Sequence, residues 1–272
     1  MKIFSSIAIR APLLAAALLS ATGGVAGEAP PADPLRSVQW ENMYGLYLAG
    51  RPVVFDNRVL VLAPQAAENS LEVPVLVDAG ALGRVEKILV IADLNPLPKV
   101  LEFYPRESRA RIGFRVKLQQ STPIRAAVLT ADDKVWHVGG VWVDAAGGGC
   151  TAPSVGSGGA DWVARLGQVH GRLWDRGAEQ SRLRFDVIHP MDTGLASGIP
   201  VFHVENIEIR DQDRLLAEIR PFEPVSENPV FTLDLPGRGA VQIRGRDNNG
   251  NRFRANVPPP AAAGKAASGA AR

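Results

Sequence analysis

The chain has 272 residues, 46% of them hydrophobic and 21% charged, with a single cysteine, Cys150. This length accommodates one large or two small domains, and one cysteine excludes an internal disulfide. The 30 Lys+Arg residues exceed the 28 Asp+Glu residues only by Lys2 and Arg10, which lie at the amino terminus. Without them the charge is balanced, which removes any bulk electrostatic case for nucleic-acid binding.

The first 26 residues have the layout of a secretory signal peptide. Lys2 and Arg10 form a basic start, Ala11 to Ala21 a short apolar run, and Gly24 and Ala26 a small-residue cleavage region. The run is too short to span a bilayer, and nothing later approaches a transmembrane length. The expectation is an exported protein that begins near Gly27, is periplasmic, and has no membrane span once the leader is removed. Asp33 and Pro34 then read as the N-cap and first-turn proline of a short helix. Val38, Trp40, Met43, Tyr44, Tyr47 and Leu48 recur near helical spacing, and Gly50 can close that helix.

Short β-rich runs follow: "RVLVLAP", "LEVPVLVD", "VEKILVIAD", "RARIGFRVKL", "IRAAVLT" and "KVWHVGGVWVD". Strands at this spacing without intervening helices predict a β-sandwich. The pattern breaks at "DAAGGGCTAPSVGSGGAD", where Gly147, Gly148 and Gly149 precede Cys150. From Trp162 to Trp174 the apolar spacing allows either helix or strand. The β pattern then resumes in "SRLRFDVIH", "VFHVENIEIRD", "RLLAEIRPF", "VFTLDLPG", "AVQIRGRD" and "RFRANV". Asn249-Gly250 between the last two fits a type I′ hairpin turn. Val241, Ile243, Phe253 and Ala255 would line one face of that hairpin. Arg244, Arg246, Arg252 and Arg254 read as its solvated face rather than an anion site. The fold expected is all-β, with two sandwich domains joined by a Gly-rich linker and a short helix before the first. The expected divisions are a signal peptide (1–26), first sandwich (34–146), linker with Cys150 (147–160), second sandwich (161–257) and disordered tail (258–272).

The residues that could carry chemistry are few. His137, His170, His189 and His203 show no close metal-ligand spacing, so no metal site is expected. A Cys-His catalytic pair would need a base held against a mobile loop, and no peptidase-like signature surrounds Cys150. No catalytic residues are assigned, and the chain is read as a non-enzyme. Trp136 and Trp142 read as core or interdomain packing. Glycine gives the segment before Cys150 a slim and mobile backbone, suited to presenting a nucleophilic sulfur inside another protein's active site.

The first half resembles SoxY, the sulfur-carrier subunit of bacterial sulfur oxidation, through "APQAAENSLEVPVLVD", "IADLNPLPKVLEFYP", "RVKLQQSTPIRAAV" and "GGC". The second half resembles its partner SoxZ through "HPMDTGL" at residues 189–195, "FEPVSENPVFTLDLPG" and "DNNGN". Both halves in this order are similar to the fused SoxYZ-like proteins associated with quinoprotein dehydrogenases. The resemblance implies immunoglobulin-like sandwiches packed together as an intramolecular pair. It implies a covalent carrier role for Cys150, on an arm that includes Gly147, Gly148 and Gly149. The string His189, Pro190, Met191, Asp192, Thr193 and Gly194 is expected to shape the interface between the halves.

The chain departs from the family where Cys150 is followed by Thr151 and a further domain, so the arm is tethered at both ends. No cofactor is expected beyond a covalent sulfur adduct on Cys150. The implied partners are periplasmic enzymes, either Sox-type sulfur-oxidation enzymes or a quinoprotein dehydrogenase with its cytochrome. A non-covalent accessory or maturation role toward such a PQQ-type alcohol dehydrogenase is the alternative to carriage.

Overall fold

Side chains that alternate between burial and solvent define several of the strands. In the computed structural model, which describes residues 29–154 and 161–261, Val73–Asp78 and Arg111–Val116 bury every second residue. The expected signal peptide, residues 155–160 of the linker and residues 262–272 of the tail lie outside the described residues. The first half contains helix α1 (Trp40–Tyr47) and strands β1 (Val53–Phe55), β2 (Leu60–Leu62), β3 (Val73–Asp78) and β4 (Val85–Ala92). It continues with β5 (Lys99–Tyr104), β6 (Arg111–Val116), β7 (Thr122–Thr130) and β8 (Trp136–Val143). The second half opens with the helical turn α2 (Asp161–Arg165) and strands β9 (Val169–Gly177) and β10 (Gln180–Val187). Strands β11 (Val204–Asp211), β12 (Arg214–Pro221), β13 (Val230–Pro236), β14 (Val241–Asp247) and β15 (Arg252–Val257) complete it.

The all-β expectation holds, and the strands form two facing sheets. The ambiguous segment from Trp162 to Trp174 resolves into both alternatives, a helical turn and then the edge strand β9. The halves share more than a linker. One sheet runs β1-β8-β7-β4-β5-β12-β11-β14-β15 and the other β2-β3-β6-β13-β10-β9. Strands β5 and β12 pair antiparallel with Phe103 opposite Ile219, while β6 and β13 pair with Ile112 opposite Leu233. One apolar cluster therefore extends from Val75 and Ile88 in the first half to Phe231 and Ile243 in the second. Backbone hydrogen bonds across both seams cover four edges, those of β5, β12, β6 and β13, that would otherwise be exposed.

Strand β7 is buried along its whole length because both faces of its sheet are covered. The outer face receives α1, whose Trp40, Met43 and Tyr44 pack with Leu48 against Leu89, Ile91, Ala127 and Leu129. Helix α1 starts later than Asp33-Pro34. The Asp33 carboxylate instead accepts the Leu35 and Ser37 amides in a preceding turn, at 3.0 and 2.7 Å. That carboxylate also meets the buried Arg125 guanidinium at 2.6 Å, and Asp93 meets it at 2.9 Å. Arg125 lies over the Trp40 ring at 4.7 Å. The N-terminal segment is thus tied to β7 by charge as well as by apolar packing. Val38, expected on the packed face, is 88% exposed because it precedes the helix.

Two smaller expectations are corrected. Trp136 is buried in the cluster under α1, but Trp142 is 38% exposed, near the end of β8, where its indole donates to Asp144. The β14–β15 connection is not type I′, since Gly250 has a positive φ of 86° and Asn249 does not. The Gly250 amide bonds the Asp247 carbonyl and the Asp247 amide bonds the Asn251 carbonyl. This is a three-residue loop closed by a left-handed glycine. Val241, Ile243 and Phe253 face the core as expected, Ala255 is half-buried, and Arg246, Arg252 and Arg254 are exposed.

Candidate functional site: a cysteine seated between the two halves

Beyond β8 the chain does not swing free. Residues 147–150 lie along the loop between β6 and β7. The Gly147 amide bonds Ser70 Oγ at 3.1 Å, the Gly148 amide bonds the Gln119 carbonyl at 3.1 Å, and the Gly149 amide bonds the Leu118 carbonyl at 3.0 Å. The glycines are required by this path. Gly147 has φ +97°, and a Cβ on Gly149 would stand 2.3 Å from the Ser70 carbonyl oxygen and 2.7 Å from that of Leu118. No side chain fits at such distances, and both obstacles are backbone.

This corrects the expectation of a presented thiol on a flexible arm. Cys150 is 0% exposed. Its amide bonds Gln119 Oε1 at 3.2 Å, and its Sγ donates toward the Lys117 carbonyl at 3.5 Å. Burial pushes the thiol up to about 11, against the pull of the Lys117 charge. A thiol in this seat is protonated at neutral pH and inert as a nucleophile.

The other wall of the seat is the 189–194 string from the second half. Thr193 Oγ1 donates to the Cys150 carbonyl at 2.6 Å. Asp192 accepts the Ser154 amide at 3.1 Å and its hydroxyl at 3.3 Å, which holds the chain downstream of the cysteine. The Met191 carbonyl accepts from Lys117 Nζ. Met191 reaches this position with φ +53°, a conformation uncommon for a bulky side chain. His189 supports that turn by accepting the Met191 amide on Nδ1 at 3.1 Å. With Nδ1 an acceptor, the ring proton lies on Nε2, which faces Asp247 Oδ2 at 3.6 Å. Burial brings the His189 imidazole down to about 4, so it stays neutral, in spite of the opposing pull of Asp247. His189 is a positioning group here, not a base for Cys150.

The other three histidines stand apart from the seat. His137 bridges Asp56 and Asp133, His170 pairs with Asp186 at the β9 edge, and the His203 backbone is held by Asn248. No cluster of three or more metal-ligating side chains occurs among the described residues. Sequence reasoning finds Cys150, the glycines and the 189–194 string but misses Ser70, Lys117 and Gln119. Only the burial of Lys117 marks it out, and that has no sequence signature.

Removing the Thr193 hydroxyl should loosen the seat. A net hydrogen bond is worth about 0.5–1.5 kcal/mol, so Thr193→Val is expected to speed native-state alkylation of Cys150 by about 2- to 13-fold. Mass-spectrometric rates with iodoacetamide measure this, and an unchanged rate would show that the clasp lies elsewhere.

These features define a class: two sandwich halves sharing continuous sheets, with one cysteine held at their junction. Residues 46–150 match the family "Sulfur oxidation protein SoxY", and residues 176–258 match "Sulphur oxidation protein SoxZ". The chain therefore carries a SoxY domain followed by a SoxZ domain, and the SoxY match ends on Cys150. Among solved structures, the sulfur carrier protein SoxY from Chlorobium limicola f thiosulfatophilum is similar at 22% identity, covering 35% of this chain and 84% of that one, with a TM-score of 0.31. No curated protein sequence matches the chain. Among the described residues, no helix is long and apolar enough to cross a membrane.

Proposed function

We propose that the protein is a non-enzymatic sulfur carrier that binds its cargo covalently at Cys150 and works in the periplasm with sulfur-oxidation enzymes. The observation that carries this reading is the position of the cysteine. Cys150 is the last residue of the SoxY match, and its carbonyl is held by Thr193 of the SoxZ half. A seated thiol with no exposure cannot meet a partner, so loading and unloading take place when residues 147–154 leave the seat. Release returns the sulfur to water, where burial no longer holds its proton. The seat thereby separates a reactive state from a protected one. Tethering at both ends limits how far the released sulfur travels, and a partner groove must accept two strands of backbone.

Mass spectrometry of native protein from sulfur-oxidising cells is expected to find sulfur-containing adducts on Cys150. None should appear on the Cys150→Ala variant. Native protein that carries no adduct under any sulfur-oxidising condition would overturn the reading.

The burial of Cys150 favours one second reading, in which the thiol is incidental. The protein would then be a non-covalent accessory of a periplasmic quinoprotein alcohol dehydrogenase. Full dehydrogenase activity with Cys150→Ser, combined with loss of activity on deletion of the protein, would select that role.

A further inference from the structure

Lys117 is 4% exposed and sits where the two halves meet, directly after β6. Its ammonium has three donors, yet among the described residues the Met191 carbonyl is its sole acceptor. Asp192, Glu223 and Glu227 act on it from a distance, and none forms an ion pair with it among the described residues. Asp192 is engaged by Ser154, and Glu223 faces His203 at 3.9 Å. Buried ammonium groups are ordinarily paired. The remaining group that interacts with this one is Cys150, whose Sγ lies against the Lys117 carbonyl. A neutral thiol gives the ammonium no counter-charge.

We infer that Lys117 is the counter-ion for an anionic persulfide on Cys150, so that the seat is built for the loaded sulfur rather than the bare thiol. This rests on the carrier reading. A persulfide adds one sulfur atom and a negative charge, next to a residue whose buried ammonium keeps spare donors. The flexible four-carbon stem of lysine lets the ammonium move to make room. Partner choice follows from this: enzymes that attack the outer sulfur must first draw the loaded residue away from Lys117. The bare thiol leaves the seat more readily, ready for reloading.

The test loads the purified full-length protein with disulfane anion. The Cys150 thiol sulfur attacks the reagent's sulfane sulfur, the S–S bond of the reagent breaks, and a new one forms. The thiol and the hydrodisulfide anion thus give the cysteine persulfide anion and hydrogen sulfide, which carries off the thiol proton. After desalting, cyanide attacks the outer sulfur, giving the cysteine thiolate and thiocyanate, whose release is timed. A neighbouring opposite charge is worth about 1–3 pKa units, so Lys117→Met is expected to release thiocyanate about tenfold or more faster than wild type. Lys117→Arg should stay within about threefold of wild type, because it keeps the charge.

Equal release from wild type and Lys117→Met would overturn the proposal. A variant that cannot hold the seat is recognised by fast alkylation of its unloaded thiol. In that case the wild type alone decides. Amide-exchange protection of residues 147–152 must be at least as strong in the loaded protein as in the thiol form, and loss of protection on loading would overturn the proposal. Either failure is distinct from failure of the carrier reading, which is judged by adducts on protein taken from cells.

Discussion

Gly149→Ala is expected to raise the native-state alkylation rate of Cys150 by about 5- to 150-fold. The added Cβ would stand 2.3 Å from the Ser70 carbonyl oxygen and 2.7 Å from that of Leu118. Neither oxygen can turn aside as a flexible side chain would. The Leu118 carbonyl accepts the Gly149 amide, while the Ser70 carbonyl accepts the Leu118 amide at 2.8 Å. Overpacking of this kind costs about 1–3 kcal/mol. If that cost falls on the seated state, the released population grows by the same Boltzmann factor. Gly148→Ala is the matched control: no heavy atom lies near its Cβ position, although its φ of +82° adds some strain. It should raise the rate less than Gly149→Ala. Equal rates in wild type and Gly149→Ala, with melting temperatures unchanged, would mean that the alanine is accommodated in the seat.

The contrast between those glycines shows what is legible in the sequence. Three successive glycines read as mobility, because the sequence carries no sign of what lies beside them. In the fold, Gly147 and Gly149 are close-approach residues against the 117–120 loop, and mobility is their second property. Strands such as β3, β6 and β10 are readable because one face meets the core and enforces alternation, while β7 reads as a near-continuous apolar run because both of its faces are covered. Strand β5 is absent from the strand runs that the pattern reveals. It follows the turn residues of "NPLP", and its buried Glu102 interrupts the apolar pattern. That glutamate is satisfied by Tyr104 and Lys99 on its own strand and by Lys87 on β4, a partner that only the fold brings near. Since β5 carries one of the two seams, the continuity of the sheets is hidden with it. The 189–194 string is visible as an interface motif, but its partners Lys117, Cys150 and Ser154 come from the other half and the linker. Only tertiary structure brings them together.

Replacing Arg125 by methionine is expected to lower the melting temperature by about 6–20 °C. Arg125 is 1% exposed and bonds Asp33 and Asp93, one through its terminal nitrogens and the other through Nε. Breaking a buried pair by removing one partner costs about 3–5 kcal/mol, and each kcal/mol shifts a chain of this size by about 2–4 °C. The loss should also depend on pH. In the wild type, burial pushes the Asp33 carboxyl up, but the Arg125 bond and the Ser37 and Leu35 amides overcome it and hold it below its ordinary value. Its stabilisation is therefore present above about pH 4 and is lost as pH falls through the lower folded value. Burial pushes Asp93 up against the Arg125 charge and hydrogen bonds from Ser37 and Arg125, and without Arg125 the Ser37 bond alone opposes that burial. In the variant Asp93 takes up a proton rather than remain charged, and folding then costs progressively more as pH rises. Both effects narrow the gap between wild type and variant on acidification. Melting curves from pH 4 to pH 8 should thus converge at the acid end, while Asp33→Asn, which retains the Asp93 pair, loses less than Arg125→Met throughout. A pH-independent gap would show that Arg125 acts through its packing on Trp40 rather than through its charge, and that the N-terminal segment is held by α1 alone.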